Sequence, residues 1–140
     1  MSQKLERILG LDVGTKRIGV AISDPLRVFS REVGLVLRTS DESAYFEIKK
    51  ICDEYGVLEI VVGVPYNDDG SVGSQAQNCI DFAKPLESFY KVSYYDERFS
   101  SQSAEELLRK EGKKYTKNKG LVDIKSACLI LQDYLSSHTD

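Results

Sequence analysis

Early in the chain, apolar residues come in unbroken runs. Ile8-Leu9-Gly10-Leu11 stops at Asp12; after the Val13-Gly14-Thr15 turn and the bases Lys16 and Arg17, a second run fills Ile18 to Ile22. Continuous runs of this length suit buried strands. The pattern predicts strands over 5–12, 17–23 and 28–38, the last with Val33, Leu35 and Leu37 set against Gly34, Val36 and Arg38. Their short connections make them an antiparallel meander. The period then changes. Ala44, Ile48, Ile51, Cys52 and Tyr55 recur at three- and four-residue spacing, which predicts a helix over 41–55 stopped by Gly56. A β-branched run at 58–64 predicts a fourth strand, closed by Pro65 and a turn-rich loop, YNDDGSVG. Ser74 with Gln77 has the form of a capping box for the next helix, which Pro85 should end or kink. A fifth strand is predicted over 91–95. A third helix follows, capped by Ser100 or Ser101 and stopped by Gly112, and a last helix spans about 121–136. The order βββαβαβαα predicts one α/β domain over 1–140, a mixed sheet with helices on both faces.

Composition narrows the chemistry. The chain has 140 residues, 41% hydrophobic and 29% charged, enough to bury a core without staples. No apolar run approaches the roughly 20 residues of a membrane helix, and no signal peptide is recognisable, so no membrane partner and a cytoplasmic location are expected. Cys52, Cys79 and Cys128 are far apart and odd in number, which argues for buried reduced thiols. The single histidine, His138, stands in the last three residues. Histidine metal sites, Ser-His-Asp triads and Cys-His pairs are therefore excluded as readings. Net charge is −3, but residues 109–119, RKEGKKYTKNK, carry +5 and leave −8 on the remainder. Such a basic stretch on an acidic body can engage a polyanion.

Three acids occupy related places. Asp12 ends the first predicted strand, Glu97 lies just past the fifth, and Asp123 falls in the first turn of the last helix. Asp123 shares an inward stripe with Ala127, Ile130 and Tyr134. An unpaired buried carboxylate is costly, and the dipole of a helix N-terminus would reduce that cost. Three carboxylates at one sheet end repel one another, and a divalent cation relieves that repulsion. Oxygen-only ligands select Mg²⁺ or Mn²⁺. Two such ions about 3.5–4 Å apart are a known arrangement for phosphodiester cleavage, and it needs no histidine. Singly, each acid also has a plain reading: Asp12 as a turn former, Asp123 as a dipole partner, Glu97 as a partner of Arg98 or a nearby lysine.

Four stretches carry a resemblance: LGLDVGTKRIGVAISDP at 9–25, IVVGVPYNDDGSVG at 60–73, DERFSSQSAEELL at 96–108 and VDIKSACLILQDYL at 122–135. Over residues 5–136 the chain resembles the YqgF-type, Holliday-junction-resolvase-like family of the ribonuclease H-like superfamily. The resemblance implies a ribonuclease H-like fold with a five-stranded mixed sheet. It implies a nuclease dependent on Mg²⁺ or Mn²⁺, with Asp12, Glu97 and Asp123 as its metal-binding catalytic acids. The implied substrate is the 5′ end of precursor 16S ribosomal RNA or, by fold analogy, branched junction DNA. Phe99-Ser100-Ser101 stands where the family usually has Leu-Thr-Thr, and serine can still cap a helix.

On this reading Lys16, Arg17 and Arg98 are candidate phosphate contacts, joined by Lys113, Lys114 and Lys117 of the basic segment. Such contacts give affinity without sequence readout. Junction cleavage would call for a symmetric homodimer, and RNA processing for association with ribosome assembly. Two rival readings stay open. A non-catalytic RNA-binding assembly factor could keep the same fold. A sugar-kinase-like or actin-like phosphotransferase could share Asp-Val-Gly-Thr and the hairpin, but 140 residues leave no room for its second domain.

Overall fold

The computed structural model describes residues 6–99 and 119–137. Five strands form one sheet: β1 (Ile8–Val13), β2 (Arg17–Ser23), β3 (Ser30–Leu37), β4 (Glu59–Val64) and β5 (Lys91–Asp96), in the order β3-β2-β1-β4-β5. The β3-β2-β1 meander is antiparallel, and β4 and β5 add in parallel beside β1. The sheet is mixed, as the element order predicts. The helices are α1 (Asp41–Tyr55), α2 (Ser74–Ala83) and α3 (Lys119–Ser137). The helix expected after Ser100 and the segment with Lys113, Lys114 and Lys117 lie outside the described residues. Among the described residues, no helix is long and apolar enough to cross a membrane.

Strand alternation divides β1 between two layers. Leu9, Leu11 and Val13 pack with Ala44, Ile48 and Cys52 of α1 and with Ala76, Cys79 and Phe82 of α2. Ile8 joins Ala21 and Val61 under Ala127, Ile130, Leu131 and Leu135 of α3. Gly10 and Asp12 share that second face by their two-residue spacing. The α3 layer is built against glycines. A Cβ on Gly10 would stand 2.8 Å from the Leu131 Cβ, and one on Gly63 would collide with Ile130. The missing side chains let α3 lie directly on β1, β2 and β4.

Local chemistry explains the boundaries. Ser40 caps α1 by accepting from the Ser43 amide, and the Ser40 amide donates in turn to the Ser43 Oγ; Gly56 ends the helix at φ 68°. Gly73 caps α2 without a side-chain bond, so the expected Ser74–Gln77 box does not form. Gln77 donates instead to Asp81, one turn further along. Pro85 ends α2 as expected, and the chain continues as a 3₁₀ turn over Lys84–Ser88. The alternation in β3 also differs from expectation. Val36 is buried with Val33 beside it in the core, while Leu37 is 62% exposed. Val20 pairs with Gly34 but Ala21 with Glu32, so the ladder skips Val33. This bulge reverses which residues face the core. The three cysteines are free thiols, as their spacing suggests.

Candidate active site

Asp12 lies opposite Gly19 across the β1–β2 ladder, one residue before β1 ends at Val13. Gly14 closes the hairpin by donating to the Arg17 carbonyl at 2.9 Å. Arg38 braces that hairpin, donating to the Gly14 carbonyl at 2.9 Å and to Asp41 at 2.7 Å while lying over the Phe82 ring. Glu97 opens a 3₁₀ turn directly after β5, and its carboxyl carbon lies 3.2 Å from where a Gly63 Cβ would be. Gly19 performs the same service for α3: a Cβ there would collide with the Asp123 carbonyl. Three separate elements thus bring their acids to one end of the sheet.

The electrostatics report the crowding. Burial, then the charges of Glu97 and Asp123, push the Asp12 carboxyl up to about 8, against a hydrogen bond from Ser126 that lowers it. Burial, then the Asp96 charge, raises Glu97. Cys79, whose Sγ lies 3.5 Å from the Val13 carbonyl oxygen, is pushed up to about 12 by burial and then by Glu97 and Asp12. A protein that holds Asp12 this way stabilises either a proton or a cation on it.

Asp123 differs from the sequence expectation. The helix starts at Lys119, so Asp123 stands in its second turn, beyond the reach of the N-terminal dipole. Its partner is Arg17, whose Nε lies 3.2 Å from Oδ2. Among the described residues, no three His, Cys, Asp or Glu side chains are gathered tightly enough to hold a metal ion. The donor set itself fits one: three carboxylates, oxygen only, suited to a hard divalent cation.

Lys16 and Arg17 line a cavity of about 340 Å³ with Gly14, Thr15, Gln75 and Asp123. Arg98 is more committed. Its guanidinium meets both oxygens of Asp96, at 2.7 to 3.1 Å, donates to the Asp68 carbonyl at 3.2 Å and lies over the Tyr66 ring. That arrangement braces the 66–73 loop against the Glu97 turn, so Arg98, expected from sequence as a phosphate contact, already has protein partners. Ser126 was not foreseen. Its one signal is its position three residues after Asp123, one turn along the same helix face.

A mixed five-stranded sheet in the order β3-β2-β1-β4-β5, flanked by helices, is a ribonuclease H-like fold. Thermus thermophilus RuvC in complex with Holliday junction substrate has this fold, with TM-score 0.56 and 13% identity over 96% of this chain and 97% of that one. Fowlpox virus resolvase, in its complex with substrate Holliday junction DNA, gives TM-score 0.61 and 15% identity over 96% and 99%. The family model described as "RuvX: Holliday junction resolvase" matches residues 6–137, and the chain belongs to that family. Relatives named "Putative pre-16S rRNA nuclease" include one from Clostridium novyi, 41% identical over 94% of this chain and 98% of its own. Another, from Synechococcus elongatus, is 40% identical over 94% and 90%.

Proposed function

We propose that this protein is a divalent-metal-dependent nuclease that hydrolyses phosphodiester bonds of precursor 16S ribosomal RNA. The observation that carries the reading is Asp12, a half-buried carboxylate on the α3 face, raised by burial and by the charges of Glu97 and Asp123. Membership of a resolvase family and the names of the relatives support the reaction class.

Asp12, Glu97 and Asp123 would hold Mg²⁺ or Mn²⁺, and the cation would supply Lewis acidity at the scissile phosphate and favour a deprotonated water. Asp12 anchors the site because its backbone is fixed within the β1 ladder. Ser126 orients the Asp12 carboxylate from α3. Lys16 and Arg17 receive phosphates flanking the scissile bond in the cavity beside Asp123. Lys113, Lys114 and Lys117 are expected to add sequence-independent phosphate contacts, as their basic segment suggests. Arg98 holds the Glu97 turn and the 66–73 loop together.

The family description favours a second substrate, the four-way DNA junction. One assay separates the two: cleavage of precursor ribosomal RNA and of four-way junctions, each with Mg²⁺ and with Mn²⁺. Metal-dependent cleavage of the RNA alone supports the proposal, and cleavage confined to junctions replaces it with the resolvase reading. Binding of RNA that a chelator leaves unchanged, with no cleavage of either substrate, would establish a non-catalytic assembly factor.

A further inference from the structure

We propose that Arg17 couples nucleic-acid binding to assembly of the metal site, by holding Asp123 until a substrate phosphate takes its place. The proposal rests on the nuclease reading above.

The observations concern one ion pair and its setting. Arg17 holds Asp123 through Nε alone, at 3.2 Å. Among the described residues, its two terminal nitrogens have no hydrogen-bond partner. Both residues line the cavity of about 340 Å³ that also contains Lys16 and Thr15. The terminal nitrogens of a guanidinium lining that cavity are left to bond a phosphate received there, and such forks match phosphate geometry.

The backbone of Asp123 has little freedom to move. Its carbonyl is seated against Gly19, at the position a side chain on β2 would occupy. The carboxylate can change partner only by rotation of its own side chain. Two partners compete for it, the Arg17 cation and a metal ion shared with Asp12 and Glu97. Among the described residues, the acids are not gathered as a cage while Arg17 holds Asp123. A phosphate on Arg17 neutralises the guanidinium and weakens its hold on the acid. By linkage, phosphate then raises metal affinity, and metal raises phosphate affinity by the same factor. The pair is partly exposed, with 30% and 26% of the two side chains open to solvent, so the coupling is modest.

Mn²⁺ affinity, read from the electron paramagnetic resonance signal of the free ion, tests this without measuring cleavage. The proteins are wild type, Arg17→Gln, Arg17→Lys and Asp12→Asn, each checked for folding by circular dichroism. Each is titrated alone and with a short 2′-O-methyl phosphorothioate oligonucleotide that resists cleavage, correcting for Mn²⁺ bound by the oligonucleotide itself. Arg17→Gln alone should bind Mn²⁺ about two- to fivefold tighter than wild type, the range set by a partly exposed ion pair. The oligonucleotide should tighten Mn²⁺ binding by wild type by a similar factor and leave Arg17→Gln unchanged. Arg17→Lys, which keeps the charge but loses the fork, should fall between them. Arg17→Gln binding no tighter than wild type, or an oligonucleotide effect equal in both, overturns the coupling alone. Equal Mn²⁺ binding by wild type and Asp12→Asn overturns the nuclease reading together with it.

Discussion

Gly19 and Asp123 stand so close that the Asp123 carbonyl oxygen lies where a side chain on Gly19 would begin. A methyl group has no room there, and the obstacle is backbone rather than a side chain that can swing away. Gly19→Ala must push the start of α3 off the sheet. Urea denaturation should show a loss of about 1–3 kcal/mol, typical of overpacking. Cleavage measured where the variant is still folded should fall by more than that loss explains, because Asp123 moves with the helix. Full activity in Gly19→Ala would mean that the close approach has no bearing on the site.

Asp12→Asn should abolish metal-dependent cleavage and keep the fold. It should also change how stability depends on pH. The Asp12 carboxyl is at about 8 when folded and 3.8 in its ordinary state, so between these values the folded protein binds the proton more tightly than the unfolded one. Without metal, wild-type stability should fall as pH rises from about 4 to about 8, by up to about 1.4 kcal/mol per pH unit. Outside that window this group contributes no slope. The Asp12→Asn substitution removes the group's contribution, and saturating Mg²⁺ should suppress it in wild type by stabilising the charged carboxylate. Denaturation curves in chelator across this range check the sign; the same slope in Asp12→Asn would mean that other groups cause it.

Arg98→Gln distinguishes a brace from a phosphate contact. Loss of one contact to a single strand would reduce the salt slope of binding by about 0.7. The Asp96 pair and the Asp68 bond instead predict an unchanged slope, faster hydrogen exchange at the Asn67–Ser71 turn, and weaker cleavage. Lysine should restore part of the activity, since it keeps the charge beside Asp96 but not the planar fork.

Neutralising Lys113, Lys114 and Lys117 together should weaken RNA binding and flatten its salt dependence by up to about two units in log–log slope. Filter binding from low to moderate salt measures both. An unchanged slope would mark this segment as a solvated charge run.

Where one face of an element is buried and its neighbours are close in sequence, the structure was legible in advance. The runs ending at Asp12 and beginning at Ile18 announce β1 and β2, and the spacing through Ala44, Ile48 and Cys52 announces α1. What escaped depends on distant partners or on single irregularities. Lys119-Gly120 reads as loop, so α3 starts earlier than its apolar pattern suggests, and Asp123 moves out of the first turn. Its actual counter-charge, Arg17, is 106 positions away, and no local pattern joins them. The one-residue bulge in β3 moved Val36 inward against the simple alternation. Gly73 capped α2 in place of Ser74, and a helical serine such as Ser126 is too common to mark a site. The three acids could be named as candidates because the family resemblance carries them and because Asp12 and Glu97 stand at the ends of recognisable strands.

Asp12 belongs to the first strand, Glu97 follows the last, and Asp123 reaches the sheet only when α3 lies down on β1 and β2. The order of synthesis therefore governs when the proposed chemistry can begin. A chain still emerging from the ribosome has Asp12 early, but it lacks both the other acids and the helix that packs over that face. On the proposed mechanism, partly made copies would be inert toward the RNA around them, and the ability to cut would arrive only with the completed fold.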